Sequence, residues 1–444
     1  MAAIPQIQQN IFTVPSFTLE CGTELKQAPV AYKTWGKLNE ARNNVMVICH
    51  ALTGSADVED WWGPLMGRHK AFDPSRFFIF CGNTLGSPYG SASPVTTDPD
   101  SERPYGPAFP PTSIRDDVRI HLHVLQHHLN VRRVAVVIGG SMGGMAALEY
   151  PLCAPPAFVQ RIVVLATSAR HSAWCIAWGE SQRQSIYSDP AYCGGLYAPG
   201  EQPRSGLAAA RMCALLTYRS RDSFERRFGR KVHLAAPTGP ARAKGVGLMT
   251  PPASPPLEAV DLHNDGQRRV EEPSTPRPSR PPIFSAQSYL RYQGDKFIAR
   301  FDANCYIHLT RKLDTHDVAR GRVDPAVAGE LGEDATLASV LALLPPRALV
   351  ISIQSDGLFT PPEQELLATH IPDSEYVVVK SGEGHDGFLV EFEEINRCVL
   401  GYLRREFADL YSQDRIDEEV EGEDDFVVKK ESVFGEAEVD LAQW

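Results

Sequence analysis

The sequence predicts an α/β fold: a mostly parallel sheet with helices on both faces and a helical cap inserted between its two parts. Three observations carry the prediction. Short, near-continuous apolar runs such as Val45–Cys49, Val134–Ile138 and Ile162–Leu165 suit strands buried on both faces. Helix-spaced stretches separate them, as parallel strands require. The strand pattern also lapses after residue 168 and returns only at Ala348–Ile353 and Tyr376–Val379.

In chain order, Phe12–Leu19, Val30–Thr34, Val45–Cys49 and Phe77–Cys81 read as strands. Ile114–Leu129 has helical spacing, and its His121, His123, His127 and His128 are placed on the surface of that helix. Val134–Ile138 is a strand, Met145–Tyr150 starts a helix, and residues 160–168 form another strand. From Ser172 to about Leu234 the pattern is helical, with Trp174, Trp178, Met212 and Leu216 as apolar anchors. Residues 232–283 hold 11 of the chain's 35 prolines and almost no aromatics, a composition that predicts a disordered insertion. Helical pattern resumes over Ala286–Thr310, and a last helix spans Glu391–Leu410. The implied division is 1–171 for the first part of the α/β core, 172–345 for the cap with its insertion, 346–412 for the rest of the core, and 413–444 for an acidic tail. The cap lies above the C-terminal edge of the sheet, where open α/β folds bind ligands.

Composition narrows the function classes. The net charge of −11 is concentrated in residues 414–425, which hold eight acids and one Arg, so the remainder is only mildly acidic. A nucleic-acid partner normally leaves a basic face, and none is indicated. The nine cysteines are scattered singly without a CxxC pair, which suits reduced thiols in the cytosol. No segment approaches the ~20 apolar residues of a membrane span, and Met1–Asn10 lacks the character of a signal peptide.

Three strand ends carry the chemistry. Gly139-Gly140-Ser141-Met142-Gly143 fits G-x-S-x-G, directly after a strand and before a helix. That context makes Ser141 the nucleophile on a strained strand-to-helix turn. Asp356 follows the strand Ala348–Ile353, and 29 residues later His385 lies in a Gly-rich loop after Tyr376–Val379. Of thirteen histidines only His385 follows the last strand; His171 and His308 read as packing residues and His50 as a structural strand end. His385 is the general base and Asp356 its orienting acid. Asp386 competes for the orienting role, but adjacency to His385 gives its side chain a different heading. An oxyanion hole needs two donors. The Met142 N–H is one, and the Leu52 N–H in the loop after Val45–Cys49 is the other. No P-loop, dinucleotide fingerprint or clustered metal-ligand spacing occurs, so neither a metal nor a permanently bound cofactor is expected.

His50–Gly54, Asn83–Ala92, Gly139–Gly144, Asp302–Tyr306, Ser355–Phe359 and Gly384–Phe388 together resemble the signature blocks of homoserine O-acetyltransferases, within the α/β-hydrolase superfamily. The fungal members are especially similar, and the likeness covers nearly the whole chain apart from the insertion. The resemblance implies ping-pong transfer of acetyl from the co-substrate acetyl-CoA to the hydroxyl of L-homoserine, on the route to methionine. It further implies that Arg211 binds the substrate carboxylate, that Tyr218 accompanies it two turns along the helix, and that Asp386 holds the α-ammonium. A homodimer formed through the cap helices is implied in the same way. Relatives that acetylate other alcohols, such as deacetylcephalosporin C, share these blocks, and serine esterases share the fold. The triad alone leaves the acceptor open.

Overall fold

The computed structural model describes residues 7–198, 200–233 and 283–412. Its main sheet has eight strands: β1 (Asn10–Thr18), β2 (Glu24–Trp35), β3 (Val45–Cys49), β4 (Phe78–Gly82), β5 (Val134–Gly140), β6 (Val159–Leu165), and, after a two-stranded ribbon of β7 (Val232–His233) and β8 (Ile283–Phe284), β9 (Leu349–Ile353) and β10 (Glu375–Val379). The order across the sheet is β1-β2-β4-β3-β5-β6-β9-β10. β2 pairs antiparallel with both β1 and β4, and from β4 to β10 every pairing is parallel.

The sequence pattern of β3 explains its place. Val45, Val47 and Cys49 enter one apolar cluster while Met46 and Ile48 enter another, so successive side chains serve opposite faces of the sheet. All five residues are buried, as the unbroken apolar run requires. The first face is covered by helices α1 (Ile114–His123) and α2 (Met142–Cys153). Ser113 starts α1 with a capping box, its hydroxyl accepting from the Asp116 N–H and the Asp116 carboxylate accepting from its own.

Between β6 and β9 lie the cap helices α3 (Ala173–Tyr187), α4 (Arg204–Tyr218), α5 (Arg221–Arg227), α6 (Ser285–Ile298) and α7 (Ala303–Asp314). Ile186, Leu207, Phe297, Phe301 and Tyr306 form a third cluster, so these helices have an apolar core of their own.

Several expectations need correction. Trp174 and Leu216 do not anchor the cap: they are 56% and 51% exposed, because α3 buries the face that carries Cys175, Gly179, Gln182 and Ile186, and α4 the face that carries Leu207, Ala210, Arg211 and Ala214. Met212 is partly buried and does pack against the third cluster, as an anchor should. The helix over 114–129 is an α-helix to His123 followed by a π turn over Val124–His128, and His121 is buried, with Nε2 3.1 Å from the Asn83 carbonyl. Burial pushes its pKa down to about 4, so its ring is neutral. The pattern over 172–234 and 286–310 resolves into separate helices, with a break at residues 299–302. The last helix divides into Phe392–Glu406 and Ala408–Ser412. Val318, Leu337, Val340 and Leu344, assigned to the cap by pattern, pack in the sheet's first cluster instead. Of the insertion placed at about 232–283, only its two ends are described, and they pair antiparallel as Val232↔Phe284 and His233↔Ile283. Residues 234–282 and the acidic tail at 413–444 lie outside the described residues. Among the described residues no helix is long and apolar enough to cross a membrane.

Candidate active site

Four strand ends meet at the C-terminal edge of the parallel sheet. Ser141 follows β5, Leu52 lies after β3, Asp356 after β9, and His385 after β10. Because these strands run parallel within one sheet, residues as distant in sequence as Ser141 and His385, 244 positions apart, arrive at one place.

Ser141 sits between strand and helix with φ 58° and ψ −126°, a conformation that L-residues rarely hold without surrounding support. The support is visible. The Ser141 N–H donates to the Leu165 carbonyl at 3.0 Å, and the Thr167 hydroxyl donates to the Ser141 carbonyl at 2.7 Å. Gln364 then donates from Nε2 to the Thr167 carbonyl at 2.6 Å. Gly143 allows the close approach that the turn needs: a Cβ there would lie 2.1 Å from the Cys49 carbonyl oxygen.

His385 connects the serine to the acid. Its Nε2 lies 2.8 Å from Ser141 Oγ and its Nδ1 2.7 Å from Asp356 Oδ2. The other Asp356 oxygen accepts from the N–H groups of Leu358 and Phe359 at 2.8 and 3.0 Å, which fixes the carboxylate plane. With Nδ1–H donating to the carboxylate, Nε2 is left to accept the serine proton. The three residues are 8%, 3% and 4% exposed in the order Ser141, His385, Asp356, so little water competes for these bonds.

Met142 is the first residue of α2, where N–H groups have no intrahelical acceptor. Leu52 shares a cavity with Ser141 and His385, in a loop closed by one internal bond and braced by two residues from elsewhere in the fold. His50 Nε2 accepts from the Thr84 N–H at 3.1 Å, the Gly54 N–H donates to the Ala51 carbonyl at 3.0 Å, and Arg300 donates from Nη1 to the Thr53 carbonyl at 3.2 Å.

The cavity runs from Ser141 to the cap and is also lined by Tyr218, Asp386, Trp178 and Cys175. The Tyr218 ring is 6.1 Å from that of His385, centroid to centroid. Arg211 is not on the cavity wall. It lies one layer back, 2% exposed, with its guanidinium 5.7 Å from the Tyr218 ring centroid and 5.0 Å from that of Phe297. Asp386 is on the wall, with Oδ2 2.8 Å from Arg219 Nε. His171 is also a wall residue, and burial pushes its pKa down to about 3. Desolvation likewise raises the Cys175 thiol to about 12, so it is no thiolate nucleophile. Desolvation raises Glu363 to about 7, and the nearby Asp356 charge adds to the effect. Among the described residues, no group of three or more His, Cys, Asp or Glu side chains is arranged to hold a metal ion.

Sequence reasoning missed Arg219, Thr167, Gln364 and Arg300. None belongs to a local pattern, and each acts on a partner that only the fold supplies.

Residues 44–392 match the family model of the α/β hydrolase fold. Over 510 aligned residues the chain is 53% identical to a homoserine O-acetyltransferase of Cryptococcus neoformans var. grubii, with 99% of this chain and 96% of that one covered. It is 48% identical to the homoserine O-acetyltransferase of Saccharomyces cerevisiae, covering 98% and 94%. Among solved structures, a homoserine O-acetyltransferase from Bacillus anthracis superposes with a TM-score of 0.70 at 20% identity, over 90% of this chain and 99% of that one. Esterase E22 superposes with a TM-score of 0.69 at 24% identity, covering 89% and 99%. The two structures establish the fold; the relatives of about half identity over nearly the full length establish the family. The chain belongs to the homoserine O-acetyltransferase family of α/β-hydrolase-fold proteins.

Proposed function

We propose that the protein transfers the acetyl group of acetyl-CoA to the hydroxyl of L-homoserine, giving O-acetyl-L-homoserine and CoA for methionine biosynthesis. One observation carries the reading: the Ser141–His385–Asp356 hydrogen-bonded chain opens into a cap-covered cavity that also presents Tyr218 and Asp386.

The reaction has two halves. Ser141 Oγ attacks the thioester carbonyl as its proton passes to His385 Nε2, and the oxyanion is held by the N–H groups of Met142 and Leu52. The C–S bond breaks and the CoA sulfur leaves with the proton from His385. The homoserine hydroxyl then gives its proton to His385 and attacks the acetyl-serine; the C–Oγ bond breaks and Ser141 recovers a proton. Asp356 stabilises the imidazolium in both halves. Asp386 binds the α-ammonium, and Arg211 with Tyr218 serves the carboxylate, Arg211 supplying positive charge from behind the tyrosine ring. The cap keeps water from the ester between the two halves.

The nine free cysteines support a reducing, cytoplasmic setting. The exposed Trp174 and Ile176 on α3 and Leu216 on α4 support a homodimer through the cap, for which sedimentation equilibrium is the direct measurement.

The decisive experiment follows CoA release from acetyl-CoA with homoserine and a panel of other alcohols. Release that depends on homoserine is expected, and release indifferent to it refutes the proposal. Intact mass should show one added acetyl on the wild type with acetyl-CoA alone and none on Ser141→Ala.

A further inference from the structure

Where the cap meets the His385 loop, one arginine serves two carboxylates. Arg219 follows the last residue of α4, directly after Tyr218. Its Nη1 donates to Glu383 Oε2 at 2.9 Å, and its Nε lies 2.8 Å from Asp386 Oδ2, an ion pair by distance rather than an aligned hydrogen bond. The Arg219 and Asp386 side chains are 7% and 8% exposed, so the pair is weakly screened. Glu383 is held on its far side by Arg226 Nη2 at 2.9 Å and by the Ser223 hydroxyl at 2.6 Å. Gly384, at φ +75°, has no room for a Cβ, which would lie 2.4 Å from the Ser220 nitrogen and 2.6 Å from the Arg219 carbonyl carbon.

The charge count gives this arrangement a consequence. Arg219, Glu383 and Asp386 together carry −1. Arg226 is 64% exposed, so water and salt screen its charge. Glu383 therefore draws Arg219 away from full neutralisation of Asp386, and the cavity keeps a negative site for a cation. The His385 side chain does not depend on the clamp: Asp356 holds Nδ1, and the Ser355 hydroxyl accepts from the Gly384 N–H at 2.9 Å.

We infer that Arg219 is a positioning residue for the acceptor half-reaction, orienting the Asp386 carboxylate toward a primary ammonium, and that Glu383 tunes how much of the Asp386 charge remains for that ligand. The inference rests on the reading of the site as an acetyltransferase for an amino alcohol.

The test separates the halves. The rate of acetyl-enzyme formation is read by stopped-flow CoA release without acceptor, and homoserine KM by steady-state turnover. Arg219→Gln should raise homoserine KM by roughly tenfold or more while changing the acetylation rate less than about threefold. Arg219→Lys, which keeps the charge but not the fork, should recover part of the loss. Glu383→Gln leaves Arg219 entirely to Asp386 and should raise homoserine KM several-fold with acetylation unchanged, an outcome readable even if Arg219→Gln does not fold. Unchanged homoserine KM in Arg219→Gln or, where that variant does not fold, in Glu383→Gln, or an equal fall of both halves, overturns the inference while the functional reading stands. A wild-type enzyme that ignores homoserine overturns both.

Discussion

Lys312 Nζ lies 2.6 Å from Asp117 Oδ2 and 2.8 Å from Oδ1, joining cap helix α7 to helix α1 of the core with the lysine side chain fully enclosed. Lys312 also donates to the Leu85 carbonyl at 2.7 Å, and the Leu85 N–H donates to Asp117 Oδ1 at 2.9 Å. The remaining cost of desolvation is visible in the Asp117 carboxyl, which burial pushes up to about 6 despite the lysine. A pair this deep contributes little net energy while intact but is costly to halve.

Lys312→Met should therefore destabilise the fold by about 3–5 kcal/mol, because it strands the Asp117 carboxylate. The double variant Asp117→Asn/Lys312→Met should regain much of that loss. Urea unfolding midpoints of the wild type, the single and the double variant check it; a single variant within experimental error of the wild type contradicts it.

Glu363 gives stability a pH dependence. Burial raises its pKa from an ordinary glutamate value to about 7 in the folded protein, so the folded state binds a proton that the unfolded chain releases at lower pH. Its contribution is fully present below the unfolded pKa and is lost as pH rises through about 7. Glu363→Gln should track the wild type at pH 4 and become progressively more stable than it toward pH 8. Thermal midpoints measured across that range would show parallel curves if the group does not titrate this way.

Gly384→Ala should damage both half-reactions. At φ +75° an alanine is strained, and its Cβ would press on the backbone of Arg219 and Ser220, displacing the loop that carries His385. Misplacement by an ångström costs on the order of 100-fold in rate. Acetyl-enzyme formation and acceptor turnover should fall together, unlike the split expected for Arg219→Gln.

Asp356→Asn should slow acetyl-enzyme formation by roughly 10⁴-fold. The asparagine carbonyl can keep the Leu358 and Phe359 N–H bonds, which turns its amide toward His385 Nδ1. Nδ1 must then accept, the ring proton moves to Nε2, and Nε2 no longer takes the Ser141 proton. A pre-steady-state CoA burst near the wild-type rate would refute this reasoning.

The local sequence determined the strands of the parallel sheet and the candidate residues Ser141, Asp356 and His385. An unbroken apolar run encodes a strand buried on both faces, and a site at the strand's end is then adjacent in sequence to the signal that reveals it. Glycines forced by close approach, such as Gly143, are legible for the same reason. The tertiary structure alone decided the rest. Arg300 braces the Leu52 loop from 247 residues away, and Arg219 reaches Glu383 across 164. His121 looks like a surface residue until the Asn83 carbonyl meets it across 38 residues. Trp174 reads as an anchor because an apolar residue in helical pattern does not say which face is covered; packing of the neighbouring helices decides that. Local pattern records what a residue does to its own backbone and burial. Charge pairing, second contacts and face selection are set by segments that meet only when the chain has folded.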